Sequence, residues 1–392
     1  MGLRIHLKVI WHFILPLLVL VSCSFGPQNL KQGHLSYNAS VKIAADQELL
    51  LNIVRLRYLD TIEFLATNSI SAQTSLSVSL GARLGTDRSN TTSLVIPELA
   101  FSDRPTFTFT PQRGKEFARR LTEPVDINTF AYLAASDWPL HLLLILLGSE
   151  INGIVNDPGG NVLEYNTIAN KLWQLQDDGD LLIGFLEREA VVSDPIDASL
   201  IKGSDLLNAA ESGYRFRHAQ GQQQIYLTKK IAQPVIWIRK DSQDARMLKR
   251  ILRLKKTSIP PYDIKVGSGL YQREETYASI VLRTRSLLGA IVYLSQAVNP
   301  PAEHLNRGIA TPKWPLPGND DADITNTFKV LASSTKPEAS LAVKYRGYWF
   351  YIDETDMTSK ATFLVMAEFY RLAISEGRTD QVPILTLPVG GP

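Results

Sequence analysis

Acidic residues near the C-terminal end of the chain come closest to a catalytic arrangement. Asp353, Glu354 and Asp356 lie within four positions of one another, and a pair of carboxylates is what glycoside hydrolysis requires. A cluster of this kind directly before a predicted helix is typical of a solvated turn, because anions are favoured at the positive end of the helix dipole. We therefore interpret these carboxylates as a helix-flanking turn and not as an active site.

Metal-ligating and nucleophilic patterns are missing from the sequence. Asp177, Asp178 and Asp180 lack the glutamate that closes a calcium-binding loop, and we interpret them as a turn. There is no nucleophile elbow, phosphate-binding loop, dinucleotide-binding glycine motif or zinc-binding helix. The histidines beyond the N-terminal apolar run are far apart and lack ligand spacing: His34, His141, His218 and His304. The sequence predicts no catalytic residue, no metal site and no cofactor, and we expect a protein that is not an enzyme.

The single cysteine has a context that predicts lipid attachment. Arg4 and Lys8 precede the apolar run from Val9 to Val21, which is the layout of a secretory signal. Leu20-Val21-Ser22-Cys23 resembles the bacterial lipobox, in which the cysteine after the cleavage site carries the lipid. An ordinary signal peptide or a short membrane anchor is the alternative, although the run is short for the ~20 residues of a spanning helix. We predict a signal peptide over 1–22 and acylation of Cys23. An aspartate directly after the lipidated cysteine would resemble the signal that retains lipoproteins of enteric bacteria in the inner membrane. Ser24 stands there instead, so the resemblance implies a location in the outer membrane.

Composition and charge agree with an exported, folded protein. Hydrophobic residues make up 45% and charged residues 20% of the chain, and removal of the signal leaves 392 − 22 = 370 residues. That length is sufficient for two lobes. Loss of Arg4 and Lys8 reduces the formal charge from +2 to 0, which argues against a nucleic-acid partner. With its one cysteine acylated, the chain can form no disulfide.

A lipidated tether and a helix are predicted at the start of the mature chain. Residues 23–40 are polar and rich in turn formers, which suits a tether. From Val41 to Tyr58 apolar residues recur at helical spacing, and Ser40 is a candidate cap. The sequence therefore predicts an amphipathic helix that begins near Ser40, with arginines at its C-terminal end.

Alternating residues between 74 and 110 predict a β-hairpin. Residues 74–84, TSLSVSLGARL, place apolar side chains at the even positions and mainly serine at the odd ones. We expect a loop over 85–92, a second β-like stretch over 93–101 and further alternation over 106–110. Packing as a periplasmic hairpin is one interpretation. The other is a membrane-spanning hairpin, because each arm is close to the ~9–11 residues of a transmembrane strand, and several subunits could close a pore together.

The remaining elements predict an α+β fold. A buried helix is expected from near Pro139, and a long helix over 274–298. Strands are expected over 224–229 and 235–239 around a turn at Pro234, and 299–326 is expected to be irregular, as in binding loops or linkers. At the C-terminal end, strands over 328–333, 340–344 and 348–352, a helix over 360–375 and a strand over 383–389 form a small sheet-plus-helix module. We place an N-terminal helix and hairpin lobe at 41–160 and an α+β C-terminal lobe at 161–392.

Three segments resemble a family of bacterial outer-membrane lipoproteins of unknown function. They are YNASVKIAADQELLLNIVRLRYLDTIEFLA over 37–66, RTRSLLGAIVYLSQAV over 283–298 and VKYRGYWFYIDETDMTSKATFLVMAEFY over 343–370. The resemblance implies an outer-membrane location and a folded body across most of the mature chain. It implies no catalytic residues.

These observations predict a lipid-anchored outer-membrane protein whose body faces the periplasm and has a structural or assembly role. Its partners are expected to be the lipid bilayer, through acylated Cys23, and either further copies of itself or another envelope protein. The first alternative is a subunit of an oligomeric outer-membrane pore that uses the 74–110 hairpin. The second is an envelope hydrolase.

Overall fold

The α+β class predicted from the sequence is confirmed by the computed structural model, which contains helices, a large mixed sheet and two antiparallel sheets. The structure describes residues 25–87, 90–156, 162–197, 202–218, 224–239, 241–267, 276–311 and 327–375. Contacts divide the chain into two compact units. The first comprises residues up to Asn52 together with Thr61–Gly114, and the second comprises Ile53–Asp60 together with the chain from Lys115 onwards. The boundary predicted near residue 160 falls inside the second unit.

A single long helix, α1 (Phe25–Arg57), begins in the first unit, and its residues from Ile53 onwards belong to the second unit. The predicted tether over 23–40 is therefore wrong for residues 25–40, and Ser40 is not a cap. Its hydroxyl donates to the Ser36 carbonyl at 2.8 Å, one turn earlier, so the serine satisfies its own polar group inside the helix. The predicted end of the helix near Tyr58 is confirmed, because α1 ends at Arg57.

The hairpin of the first unit consists of β1 (Leu65–Asp87) and β2 (Asn90–Pro111), paired antiparallel from Leu65↔Pro111 to Asp87↔Asn90. The strands have 23 and 22 residues. The predicted loop over 85–92 is wrong for 85–87 and 90–92, because pairing continues through Gly85↔Thr92 and Thr86↔Thr91, and residues 88 and 89 lie outside the described residues. Residues of low strand propensity remain extended there because the ladder supplies their hydrogen bonds. The hairpin forms a two-stranded sheet of its own among the described strands.

The second unit contains nine of the described helices and eleven of the described strands. The helices are α2 (Lys115–Thr122), α3 (Ile127–Ala135), α4 (Leu140–Leu147), α5 (Val162–Asp177), α6 (Gly203–Glu211), α7 (Gln243–Ile251), α8 (Leu287–Ser295), α9 (Ala302–Asn306) and α10 (Met357–Ser375). The strands are β3 (Gly148–Ile151), β4 (Ile154–Val155), β5 (Leu181–Val191), β6 (Ile196–Asp197), β7 (Tyr214–His218), β8 (Gln224–Ile238), β9 (Tyr262–Val266), β10 (Ile280–Thr284), β11 (Leu331–Ser333), β12 (Ala342–Tyr345) and β13 (Tyr348–Tyr351).

The large sheet has the strand order β4-β3-β10-β9-β8-β5, and β6 and β7 also pair with β8. The pair β9–β10 is parallel and the other pairs are antiparallel. The predicted turn at Pro234 is wrong, because β8 runs through this residue, which lies opposite Phe185. The 224–229 and 235–239 stretches are thus parts of one long strand.

The predicted helix over 274–298 is also wrong over 280–284, and residues 274 and 275 lie outside the described residues. Ile280, Leu282 and Thr284 are buried while the residues between them are half-buried, which is the alternation of a strand. Ser286 then caps α8, since its hydroxyl accepts a hydrogen bond from the Gly289 N–H at 3.0 Å. A short strand followed by a capped helix therefore replaces one long helix.

Two further predictions in this unit are confirmed. Helix α4 follows Pro139 directly, and all its residues except His141 are buried. The C-terminal module is the antiparallel sheet β11-β13-β12 followed by α10. The strand predicted over 383–389 lies outside the described residues.

Candidate functional site

The register of the hairpin separates its residues into an apolar and a polar face. Directly opposed residues of an antiparallel pair lie on the same face. The even-numbered positions of β1 therefore share a face with their partners on β2: Leu76 with Phe101, Val78 with Leu99, Leu80 with Pro97, and Ala82 with Val95. Towards the base of the hairpin the same face continues through Thr74 opposite Asp103, Ala72 opposite Pro105, and Ile70 opposite Phe107.

The odd-numbered positions place mainly polar residues on the other face. On β1, serine occupies the odd positions 69, 71, 75, 77 and 79. Gln73 lies between these serines, and Arg83 lies after them. Their partners on β2 include Glu98, Ser102, Arg104, Thr106 and Thr108. The exceptions are Leu94, Ile96 and Ala100, which lie opposite Arg83, Gly81 and Ser77. The two faces therefore differ clearly in polarity on β1, whereas Glu98 is the one polar residue on this face within 93–101 of β2.

The unpaired edges of the hairpin are a second feature of this site. Within the described residues, β1 pairs with β2 and with no other strand. The outer edge of each strand therefore presents backbone N–H and C=O groups for a further strand to pair with. A long strand edge of this kind is a template for association with another chain.

A second candidate site surrounds the end of α1, within the second unit. Arg57 is only 2% exposed and lines a cavity of about 700 Å³. Its Nη1 donates to Oε1 of Gln296 at 3.2 Å, and its buried Nε has no hydrogen-bond partner among the described residues. Burial lowers the pKa of this guanidinium. A buried cation of this kind is unusual unless an anion accompanies it.

Tyr58, the next residue, is hydrogen-bonded to a buried histidine. Its hydroxyl lies 2.7 Å from Nδ1 of His304 on α9. Burial, followed by the nearby Tyr345, raises the pKa of Tyr58 to about 12, and burial lowers the pKa of His304. At neutral pH both groups are therefore uncharged. With the neutral histidine in its Nε2–H tautomer, the tyrosine hydroxyl donates this hydrogen bond and Nδ1 accepts it.

Aromatic and charged residues of the C-terminal sheet enclose this pair. The rings of Tyr345 and Phe350 meet the Tyr58 ring edge-on, at centroid distances of 5.2 and 6.0 Å. The Arg346 guanidinium lies 5.4 Å from the centroid of the Tyr58 ring. Such contacts fix the orientation of the tyrosine and keep water from its hydroxyl.

The acidic residues near the C-terminal end form a helix-flanking turn, as predicted. Asp353 accepts hydrogen bonds from the N–H and hydroxyl of Thr355 at 2.8 and 2.6 Å. Asp356 accepts from the N–H and hydroxyl of Ser359 in the first turn of α10 at 3.0 and 2.7 Å. Glu354 pairs with Lys360 at 2.7 Å. The carboxylates are occupied by local contacts that stabilise the turn and cap the helix.

The other residues that the sequence analysis weighed as possible site residues do not lie together. His141 is half-buried on α4, with its ring 4.5 Å from that of Trp173, and burial lowers its pKa. Asp177 ends α5, and Asp178 and Asp180 lie in the turn that follows, where Gly179 has φ +72°. Cys23, the predicted lipid-attachment residue, lies outside the described residues.

The part of the chain that the structure describes has neither a metal-binding cluster nor a helix suited to span a membrane. It contains no group of three or more His, Cys, Asp and Glu residues placed to hold a metal ion. None of its helices combines the length and apolar character needed to cross a membrane.

Comparison with known proteins gives no match for this chain. No protein-family model, no curated protein and no solved structure is similar to it.

Sequence reasoning missed the site at the end of α1. Arg57 was expected among the polar residues of an amphipathic helix, and its burial has no local signal. The segment over 299–326, which was predicted to be irregular, was the one indication, because long loops often bind ligands. That prediction is wrong at α9 (Ala302–Asn306), and the part of the segment over 312–326 lies outside the described residues. The first part of the segment contributes Asn299, Leu305 and Thr311 to the lining of the cavity.

Proposed function

We propose that this chain is a lipid-anchored outer-membrane protein and that its β1–β2 hairpin forms part of the wall of an oligomeric pore. In this proposal the role is structural and not catalytic. The observation that carries it is the register of the hairpin, which collects apolar residues of both strands on one face and the serines of β1 on the other. A strand pair between lipid and water requires this distribution.

The length of the apolar face supports a transmembrane position. Five successive even positions, from Leu76 to Leu84, and their partners from Ser93 to Phe101 cover nine residues of each strand. A tilted strand needs ~9–11 residues to cross the hydrocarbon core. The Thr74↔Asp103 pair adjoins this band on its base side and suits the edge of the hydrocarbon region. The rest of the 23-residue strand would extend beyond the membrane on that side.

The open edges of the hairpin support assembly from several copies. In hydrocarbon every backbone polar group needs a partner within the protein, so an isolated hairpin is unstable there. Pairing β1 of one copy with β2 of the next satisfies both edges and closes a ring. A ring of about 16 strands, and hence about eight copies, leaves an aqueous channel. The serine-rich face would line this channel.

Acylation of Cys23 would keep each copy at the membrane before assembly. Cys23 lies two residues before the first residue of α1. Two or three acyl chains hold a protein stably, at ~0.8 kcal/mol per buried CH₂ group. Confinement to one surface raises the effective concentration of the subunits and favours ring closure.

The decisive experiment is the mass of the detergent-extracted lipidated protein in its native complex, followed by conductance of that complex in a planar bilayer. A closed ring of many copies with stepwise conductance supports the proposal. A monomer without conductance contradicts it, and leaves the hairpin as a periplasmic element of a protein with a structural or assembly role.

A further inference from the structure

We infer that the cavity beside Arg57 binds a small monocarboxylate with an apolar body, and that Arg57 holds its carboxylate group. The cavity has a volume of about 700 Å³ and lies in the second unit, at the end of α1. This inference is independent of the pore, because none of its residues belongs to the hairpin.

The first argument is the missing counter-charge of Arg57. Its side chain is almost fully buried, and its partner is the neutral amide of Gln296. No described Asp or Glu forms an ion pair with it, and its Nε–H has no acceptor within the described part of the chain. A buried charge without an opposite charge destabilises the fold. An anion in the adjacent cavity would remove that penalty.

The second argument is the set of other groups around the cavity. Ala310 and Asn299 also line it, and within the described part of the chain neither the Ala310 N–H nor the Asn299 carboxamide forms a hydrogen bond. The hydroxyl of Tyr58 already bonds His304. Among the described residues, no Asp or Glu lines the cavity. The Ala310 N–H and the N–H groups of the Asn299 carboxamide are therefore donors available to a ligand with acceptor oxygens.

The third argument concerns the class of anion. Apart from these donors, the lining is mainly apolar and includes Leu59, Pro300, Leu305 and Ile309. A volume of this size is typical of pockets for small organic molecules. One guanidinium balances one negative charge, whereas a phosphate dianion would leave an excess charge in a site of low polarity. A carboxylate on an apolar body matches both the charge and the lining.

The test is isothermal titration calorimetry on the full chain in lipid nanodiscs, with empty nanodiscs as the blank. The probes are hexanoate, hexyl phosphate and hexylammonium, which share an apolar chain and differ in charge. We expect hexanoate to bind most tightly and hexylammonium not to bind. The Arg57→Met variant should lose about tenfold or more in hexanoate affinity. The control is Arg307→Met, since Arg307 is exposed and paired with Glu303 at 3.2 Å, and its affinity should not change.

Thermal unfolding checks that these variants fold. Arg57→Met removes an uncompensated buried charge, so without ligand its melting temperature should equal or exceed that of the wild type. Hexanoate should raise the melting temperature of the wild type but not of the variant. If Arg57→Met does not fold, Asn299→Leu serves instead and should also weaken hexanoate binding. Equal binding of all three probes, tighter binding of hexyl phosphate, or no binding would each overturn the inference.

Discussion

The hydroxyl of Tyr58 and Nδ1 of His304 lie 2.7 Å apart although 246 residues separate them in the chain. Tyr58 directly follows α1, and His304 lies on the short helix α9. Their hydrogen bond therefore ties the end of the long N-terminal helix to a segment near the C-terminal sheet. Both side chains are buried, at 6% and 3% exposure, so the bond forms where water cannot replace either partner.

The first prediction is that Tyr58→Phe destabilises the protein. The substitution keeps the ring contacts but leaves the buried Nδ1 of His304 without its donor, which costs about 1–3 kcal/mol. Urea unfolding of the second unit, followed by tryptophan fluorescence, measures the difference. The control is Tyr348→Phe, because this hydroxyl donates to the exposed Glu303 at 3.1 Å and water can replace it. Equal losses in the two variants would contradict the prediction.

The second prediction concerns pH. Burial lowers the pKa of His304 and of His141 below the ordinary histidine value of about 6.5. Between the folded pKa and about 6.5 the unfolded chain binds more protons than the folded chain, so the free energy of unfolding falls as the pH is lowered. Protonation of His304 also removes the acceptor of the Tyr58 hydroxyl.

His304→Asn should therefore reduce the slope of the unfolding free energy against pH. His141→Asn should reduce this slope by a separate amount. Unfolding free energies measured from about pH 7.5 to about pH 5.5 would show the change, since histidines titrate in that range. If His304→Asn leaves the slope unchanged, the pKa of His304 is not lowered in the folded protein.

How far the sequence predicts this fold depends on how local each signal is. The alternation over 74–84 predicted the centre of β1 because a period of two is visible within a few residues. The ends of the hairpin were missed because pairing with the opposite strand, and not propensity, keeps Gly85 and Thr92 extended. Strand β10 was missed because its apolar residues, next to those of α8, also fit a helical period.

The site at the end of α1 was not predictable in the same way. Nothing near Arg57 in sequence shows that Gln296 and Thr311 will surround it, because these contacts join residues more than 200 positions apart. By contrast, the acidic turn was predictable. Asp356 and Ser359 lie three positions apart, which is the spacing of a cap and its first-turn donor.

The third prediction is that Asp356 stabilises α10 and has no catalytic role. Asp356→Ala removes the acceptor for the Ser359 N–H and hydroxyl, and loss of such a cap costs about 1 kcal/mol. Urea unfolding measures this loss, and Asp356→Asn, which keeps a cap oxygen, should recover most of it. Any peptidoglycan-cleaving activity of the preparation should be equal in both variants and the wild type. Selective loss of such activity in either variant would favour the envelope hydrolase.

The fourth prediction is that Cys23 is acylated. Cys23→Ala should lack the mass of the acyl groups in mass spectrometry of the purified protein, whereas the neighbouring Ser22→Ala control should retain it. Globomycin, which blocks the lipoprotein signal peptidase, should cause the precursor of the wild type to accumulate. Acylation that persists in Cys23→Ala would show that the lipid is attached elsewhere.

The fifth prediction compares the two faces of the hairpin by introducing lysine at one of two adjacent residues. Leu80 is the middle even position of the apolar band, and Ser79 lies on the opposite face. Lysine at a lipid-facing position near the bilayer centre costs about 2–4 kcal/mol, whereas a position facing water tolerates it. Leu80→Lys should therefore reduce ring assembly and conductance, and Ser79→Lys should assemble.

Native mass and single-channel recording of the two variants measure this difference. Ser79→Lys should shift the selectivity of the pore towards anions, because each copy adds a positive charge to the channel wall. Each variant differs from the wild type at a single position, and the two variants have the same chain length and charge. Any general effect of the added lysine on expression or folding should therefore be the same in both. If the two variants assemble equally well, the apolar face does not contact lipid and the hairpin is not a transmembrane element.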